Sequence, residues 1–289
     1  MSSKDKTFIH EIISSLLFVH GDSVKPFKEC IDFIENFLFS QLKIILTSAN
    51  ENRISRNAPK LGIEDFIIQA RKQPNLMKRF LLRIKRYDEA LKAKNFYNTI
   101  RNVDSDCEDY STYNTILSTE EDCENDSKNI TVKLKNILTR IGDCEEYIDF
   151  INNNYQYEDK TKLKILQKKE ERTKNMSTDE YILYENNRSK TLFSPTYMSR
   201  SRHKKILDRI DSQFNFSTFS VEAVQCLNFI VSEIISILVA QATEIRSHYV
   251  KPKDTSSIYE SISLDFYKLA LKKTQRFMKT GNYLFGVID

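Results

Sequence analysis

The chain has 289 residues, 40% hydrophobic and 29% charged, which is enough apolar material to bury the core of one large domain or two small ones. Five Gly and five Pro are too few for the frequent turns of a β-sandwich or barrel, and no GxGxxG or Walker-type phosphate loop is present, so a helical protein without enzymatic activity or cofactor is expected. The net charge of +4 is unevenly spread: +6 over residues 1–97, −10 over 98–159 and +8 over 160–289.

Taken in chain order, Phe8, Ile9, Ile12, Ile13, Leu16 and Leu17 form the i, i+3, i+4 stripe of a helix that stops at Gly21 and Asp22. A second stripe follows Pro26 (Phe27, Ile31, Ile34, Leu38, Leu42, Ile45, Leu46) and runs without a breaker to about Asn52, more than twice the mean helix length of about 12 residues. A polar loop over 53–61 contains Pro59. A short helix follows with Ile63, Phe66, Ile67 and Ala70, its first turn carrying Glu64 and Asp65. After Pro74, residues 76–94 predict a fourth, basic helix. Short, very long and short helices in this order are the plan of the histone fold. Such a unit has one broad apolar face and normally covers it with a second unit; a generic helical bundle would show the same stripes but not the same order of lengths.

Residues 98–129 are dense in acidic groups, including Asp104–Asp109 and Glu120–Asp126, and are read as a flexible acidic linker that cannot bury a core. Apolar spacing returns at Ile130, Leu134, Ile137, Leu138, Ile141, Tyr147, Ile148 and Ile151, predicting one or two short helices. The first plan then recurs: a short stripe over 204–214, a long helix over 221–247 and a third helix over 261–273. The fold class expected is all-α, with two histone folds in one chain forming an intramolecular pair rather than a homo-oligomer. The expected divisions are 1–97 (first histone fold with an extra helix), 98–129 (acidic linker), 130–203 (partly helical connection) and 204–289 (second histone fold).

The five cysteines show no CxxC spacing and the four histidines are isolated in the sequence, which argues against zinc ribbons, a metal centre or a secreted disulfide framework. The N-terminus lacks a signal-peptide pattern, and the apolar run 226–242 carries Glu233 at its middle, so an intracellular protein without a membrane span is expected.

The segments Phe18-Val19-His20-Gly21, Ile31, Ile34-Glu35, Leu61-Gly62-Ile63-Glu64-Asp65-Phe66-Ile67 and Arg71 resemble the first histone fold of the double-histone-fold subunit of the SAGA coactivator, the suppressor-of-Ty protein three family. Glu171-Arg172-Thr173-Lys174-Asn175-Met176-Ser177-Thr178-Asp179-Glu180-Tyr181 resembles that family's linker motif, with Arg172, Asn175, Met176, Glu180 and Tyr181 at matching positions. Tyr184 follows as its aromatic and Arg188 as its arginine; Ser189–Phe193 departs from the family pattern. The resemblance implies a nuclear subunit that engages the TATA-binding protein (TBP), partners among SAGA subunits, and weak or no direct binding of DNA. It also implies a TBP contact at Glu233; the alternative reading of that residue is an exposed position opposite the apolar stripe. Asp65 with Arg53 or Arg56 is expected to tie the second loop to the third helix. The basic run Arg71, Lys72, Lys78, Arg79, Arg83, Lys85 and Arg86 is either a solvated face or a grip on phosphates. A DNA-binding histone-fold module and a TFIID-type TBP-associated factor therefore stay open beside the SAGA reading.

Overall fold

The computed structural model describes residues 3–106, 130–193, 206–211, 214, 218–249 and 260–286. The described residues form two compact units, one of residues 1–73 with 158–289 and the other of residues 74–157.

In the first unit, α1 (Ser3–His20), α2 (Lys28–Ser55) and α3 (Ile63–Ala70) make one histone fold. A helical stretch at 206–210, α9 (Val221–Tyr249) and α10 (Leu264–Lys273) make the other. The fold is all-α. The apolar stripes read from the sequence become the shared core: Ile34, Leu38 and Leu42 of α2 and Leu227, Ile234 and Leu238 of α9 are all buried. The two folds exchange partners, with α1 and α3 packing on α9 and α10 packing on α2. By length and composition α9 is apolar enough to cross a membrane, yet 78% of its apolar window is buried inside the fold, as befits a helix covered on nearly all sides.

The pairing is head to tail at both loop junctions. Leu61, in the loop after α2, lies parallel to Phe219, in the loop before α9: Leu61 N donates to Thr218 O (2.7 Å) and Ser220 N to Leu61 O (2.9 Å). At the opposite junction the loop after α1 meets the loop before α10. Ser261 Oγ donates to Lys25 O (2.8 Å) and accepts from Ser23 Oγ (2.6 Å). Asp22, 1% exposed, is the centre of this junction. Its Oδ1 accepts from the amides of Ser23 and Ile262 (both 2.8 Å), and its Oδ2 accepts from the Tyr267 hydroxyl (2.8 Å). Burial pushes the Asp22 carboxyl pKa up, against the opposite pull of these three hydrogen bonds. Gly21, at φ +130°, supplies the backbone turn that side chains rarely allow and delivers Asp22 into place.

The chain end closes the same core. After α10 come α11 (Gln275–Thr280) and an irregular tail, held by two glutamines, one from each long helix. Gln41 donates to Gly281 O (3.0 Å) and accepts from Tyr283 N (2.7 Å), while Gln241 accepts from the Tyr283 hydroxyl (2.9 Å). Phe37 packs edge-on against Phe277 and Tyr283.

The connecting residues 158–193 belong to the first unit and contain α7 (Lys160–Lys174) and α8 (Thr178–Arg188). The second unit packs α4 (Pro74–Asp106) against α5 (Ile130–Ile141) and α6 (Glu145–Asn152). Its buried side chains include Phe80, Leu81, Leu134, Leu138, Phe150 and Ile151.

Two sequence expectations differ from this arrangement. The fourth helix was expected to end near Lys94 and to extend the first histone fold. Instead α4 runs to Asp106, into the segment read as a linker, and its packing groups it with α5 and α6. Ion pairs one turn apart, Lys85 with Glu89 and Lys92 with Asp88, support its exposed faces. The rest of the acidic segment, 107–129, lies outside the described residues.

Replacing Asp22 with Ala would leave the two donors that come from the other histone fold, the Ile262 amide and the Tyr267 hydroxyl, without an acceptor in a buried junction. At roughly 1–3 kcal/mol for each stranded donor, urea denaturation is expected to show a loss of about 2–6 kcal/mol. A loss below about 0.5 kcal/mol, typical of an exposed position, would contradict this geometry.

Candidate functional site

The residues singled out in the sequence converge on the strap formed by α7, α8 and the turn after them. Arg172, near the end of α7, donates through one guanidinium nitrogen to Phe18 O (2.5 Å) and through the other to Asp22 O (2.7 Å). It also lies 4.8 Å over the Phe18 ring. A cation beyond the end of α1 complements the helix dipole and adds a second donor to Phe18 O, which also accepts from Gly21 N (3.2 Å). Asn175 caps α7, and Met176 packs on the cluster of Phe18, Val19 and Tyr184. Ser177 and Glu180 form a reciprocal capping box that starts α8: Ser177 N donates to Glu180 Oε2 (2.8 Å) and Glu180 N to Ser177 Oγ (3.3 Å). Tyr184 is buried edge-on against Phe18, whereas Tyr181 is 46% exposed and leans on Tyr184. Arg188 pairs with Glu185 (3.0 Å) on the outside of the same helix.

The strap then crosses to the other histone fold. Asn228 of α9 treats Phe193 as a strand partner, accepting from its amide (3.0 Å) and donating to its carbonyl (2.6 Å). Leu192 and Phe193 are both buried, and Lys190 reaches back to Ser15 of α1 (3.2 Å). The segment that departs from the family pattern therefore supplies the strap's apolar anchor.

Glu233 is a correction to the solvent-facing position considered in the sequence. It is 5% exposed, and Lys162 of α7 donates to its Oε1 at 2.7 Å. Its neighbour Ser232 lies 3.3 Å from His20 Nε2. Lys169 Nζ is 2.9 Å from His20 Nδ1. An ammonium can only donate, so Nδ1 accepts, the imidazole is neutral, and its Nε2–H faces Ser232. Burial, with Lys169 and Lys162 beside it, holds the His20 pKa well below its ordinary value. Burial and the neighbouring Lys162 likewise depress Lys169 from 10.5 to about 8; Glu233 opposes the shift, while Arg172 and Arg188 add to it.

Arg56 closes the loop before α3. It makes a bidentate contact with Asp65 (both oxygens at 2.8 Å) and a second with Glu64 (2.5 Å), while Asp65 Oδ2 also accepts from Gly62 N (2.8 Å). Arg53 turns instead to Asn50 Oδ1 and Ala58 O (both 2.9 Å). In the second unit, Lys78 pairs with Glu146, and Lys85 lies 4.6 Å over the Tyr155 ring.

His10 is isolated only in the sequence. In the fold its Nε2 lies 3.2 Å from Asp32 and 2.7 Å from Glu35. The three groups have the spacing of metal ligands. Arg209 already supplies Glu35 with a positive charge, which makes this an ion-pair cluster between the two histone folds.

Asp22, Lys162, Lys169 and Asn228 were not marked as site residues by the sequence. Asp22 looked like a helix stop, Asn228 fell within the long helix read over 221–247, and no reading was made of Lys162 or Lys169.

Residues 6–98 match the family described as Transcription initiation factor IID, 18kD subunit. No curated protein and no solved structure matches the chain. Together with the fold, the family match marks the chain as a histone-fold subunit of the transcription-factor kind, a class that is generally non-enzymatic and works among protein partners within a transcription complex.

Because seating α7 depresses the Lys169 pKa, the seated helix holds fewer protons than a released one. The penalty is complete below about pH 8, and the seated state gains stability as pH rises from about 8 toward 10.5. An NMR titration of the Lys169 side chain is expected to give a midpoint near 8. A midpoint near the ordinary 10.5 would mean that the ammonium is not held against His20.

Proposed function

We propose that the chain is a non-enzymatic subunit of a SAGA-type coactivator that engages TBP and helps regulate or deliver it at RNA polymerase II promoters in the nucleus. The observation that carries this reading is the strap. The segment that resembles the SAGA family's linker, 171–181, grips the first histone fold through Arg172 at the end of α1, and the residues that follow it carry the strap to the second, through Phe193 on Asn228 of α9. Holding both members of the pair on one chain suits a subunit that enters its complex without a separate histone-fold partner. Under this reading Glu233 belongs to the surface that meets TBP. The TFIID-type reading is supported by the family matched over residues 6–98 and predicts a different set of companions.

Affinity purification of the tagged full chain, with identification of the co-eluting proteins, separates the readings. TBP with SAGA-type subunits is the expected result. TFIID subunits without SAGA subunits would favour the TFIID-type alternative. Binding of duplex DNA by the purified chain, with log affinity falling steeply against log salt, would overturn both in favour of a DNA-binding module.

A further inference from the structure

Among the helices of eight or more residues in the first unit, α7 is held in an unusual way: none of its residues is buried. Its inward side carries three cations beside the half-buried Ile165: Lys162 on Glu233, Lys169 on His20, and Arg172 on the carbonyls of Phe18 and Asp22. Those three positions, seven and three residues apart, fall on one helical face, while Leu163 and Leu166 are 45% and 50% exposed. A helix seated by charge rather than by apolar burial gains little from the hydrophobic term that holds the rest of the core. Lifting it returns the Lys162 ammonium, already 28% exposed, to water. The usual cost of breaking a buried pair arises only when one charge stays buried. The chain after α7 is anchored by apolar burial, at Tyr184 and Phe193, so the helix can lift while that part of the strap remains attached.

We propose that α7 is a removable cover, an intramolecular stand-in for a basic helix of a partner protein that docks on the same surface of His20, Ser232 and Glu233. The stand-in defines its replacement. The partner helix carries a Lys or Arg for Glu233, a second cation seven residues on near His20, and a third three residues further for the carbonyls of Phe18 and Asp22. While α7 is seated, Glu233 is closed to such a partner. Displacement is favoured when the incoming helix supplies the same charges plus apolar contacts that α7 lacks. This rests on the reading of Glu233 as a partner contact, but it does not require that the partner be TBP.

The test uses the full chain and a fluorescein-labelled peptide of residues 158–176 as the probe. Tethered α7 competes with the probe at an effective concentration of order mM, so the wild-type chain is expected to bind it weakly, and releasing the tethered copy with Lys162→Glu and Lys169→Glu is expected to tighten probe binding by at least about tenfold. Adding Glu233→Lys to that released chain should abolish the gain. Equal probe binding by the wild-type and released chains would overturn the proposal, as would a gain that survives Glu233→Lys. Hydrogen exchange on the unmodified chain gives a second reading that needs no variant. The amides of α7 should exchange at least about a hundredfold faster than those of α1 and α9, as expected of a locally opening element, and protection equal to the core would overturn the proposal. A TBP pull-down run in parallel separates the two readings: probe binding without TBP capture leaves the cover in place and rejects TBP as its partner.

Discussion

A carboxylate cut off from water, Asp22, sits where the first histone fold turns out of α1 and meets the second. Desolvating it is costly, and the cost is met only because three donors are in place: its neighbour Ser23, the amide of Ile262 and the hydroxyl of Tyr267. Two of those donors belong to the other histone fold, so the residue cannot be satisfied by its own half of the chain. Its backbone completes the same junction. The Asp22 amide donates to Leu17 O (3.0 Å), ending α1, and its carbonyl receives Arg172 from the strap. Four elements thus depend on one residue having the right neighbours, which makes the pairing of the halves a condition of the local fold.

The strap follows from that junction. Its C-terminal part is fastened by apolar burial and by backbone hydrogen bonds, at Tyr184 against Phe18 and at Phe193 against Asn228. Between the chain's entry at Asp159, whose side chain caps α7 through Lys162 N (2.9 Å), and these anchors, α7 is fastened by ammonium and guanidinium groups. The two modes of attachment differ in their response to solvent. Apolar contacts are indifferent to charge, whereas cations held against one carboxylate and a neutral imidazole are sensitive to protons, salt and competing ligands.

The helices and their order were legible because two long apolar stripes at a period of 3.6 leave few alternatives, and the scarcity of glycine and proline marks the breaks clearly. What the sequence hid was pairing at a distance. Asp22 and Ile262 are 240 positions apart, and Glu233 and Lys162 are 71 apart, so neither contact leaves a local pattern. Glu233 invited a surface reading because an acid in an apolar helix usually points outward, and only the fold shows the lysine that covers it. The end of α4 was hidden for a different reason. Negative charge was taken as a stop signal, but charge alone does not end a helix that has acid–base pairs one turn apart and no proline or glycine. The family segment at 171–181 was legible as a resemblance, yet its physical use, Arg172 closing α1 from a distant part of the chain, required the structure.

The central claim is that the two halves are an obligate pair and that neither closes a core alone. It is tested most directly by producing residues 1–106 and 130–289 as separate chains. Co-expressed, the pieces should elute together as a one-to-one complex with the helix content and cooperative melting of the intact protein, and each alone should be unfolded or aggregated. Two pieces that each fold as stable monomers and ignore one another would contradict the account.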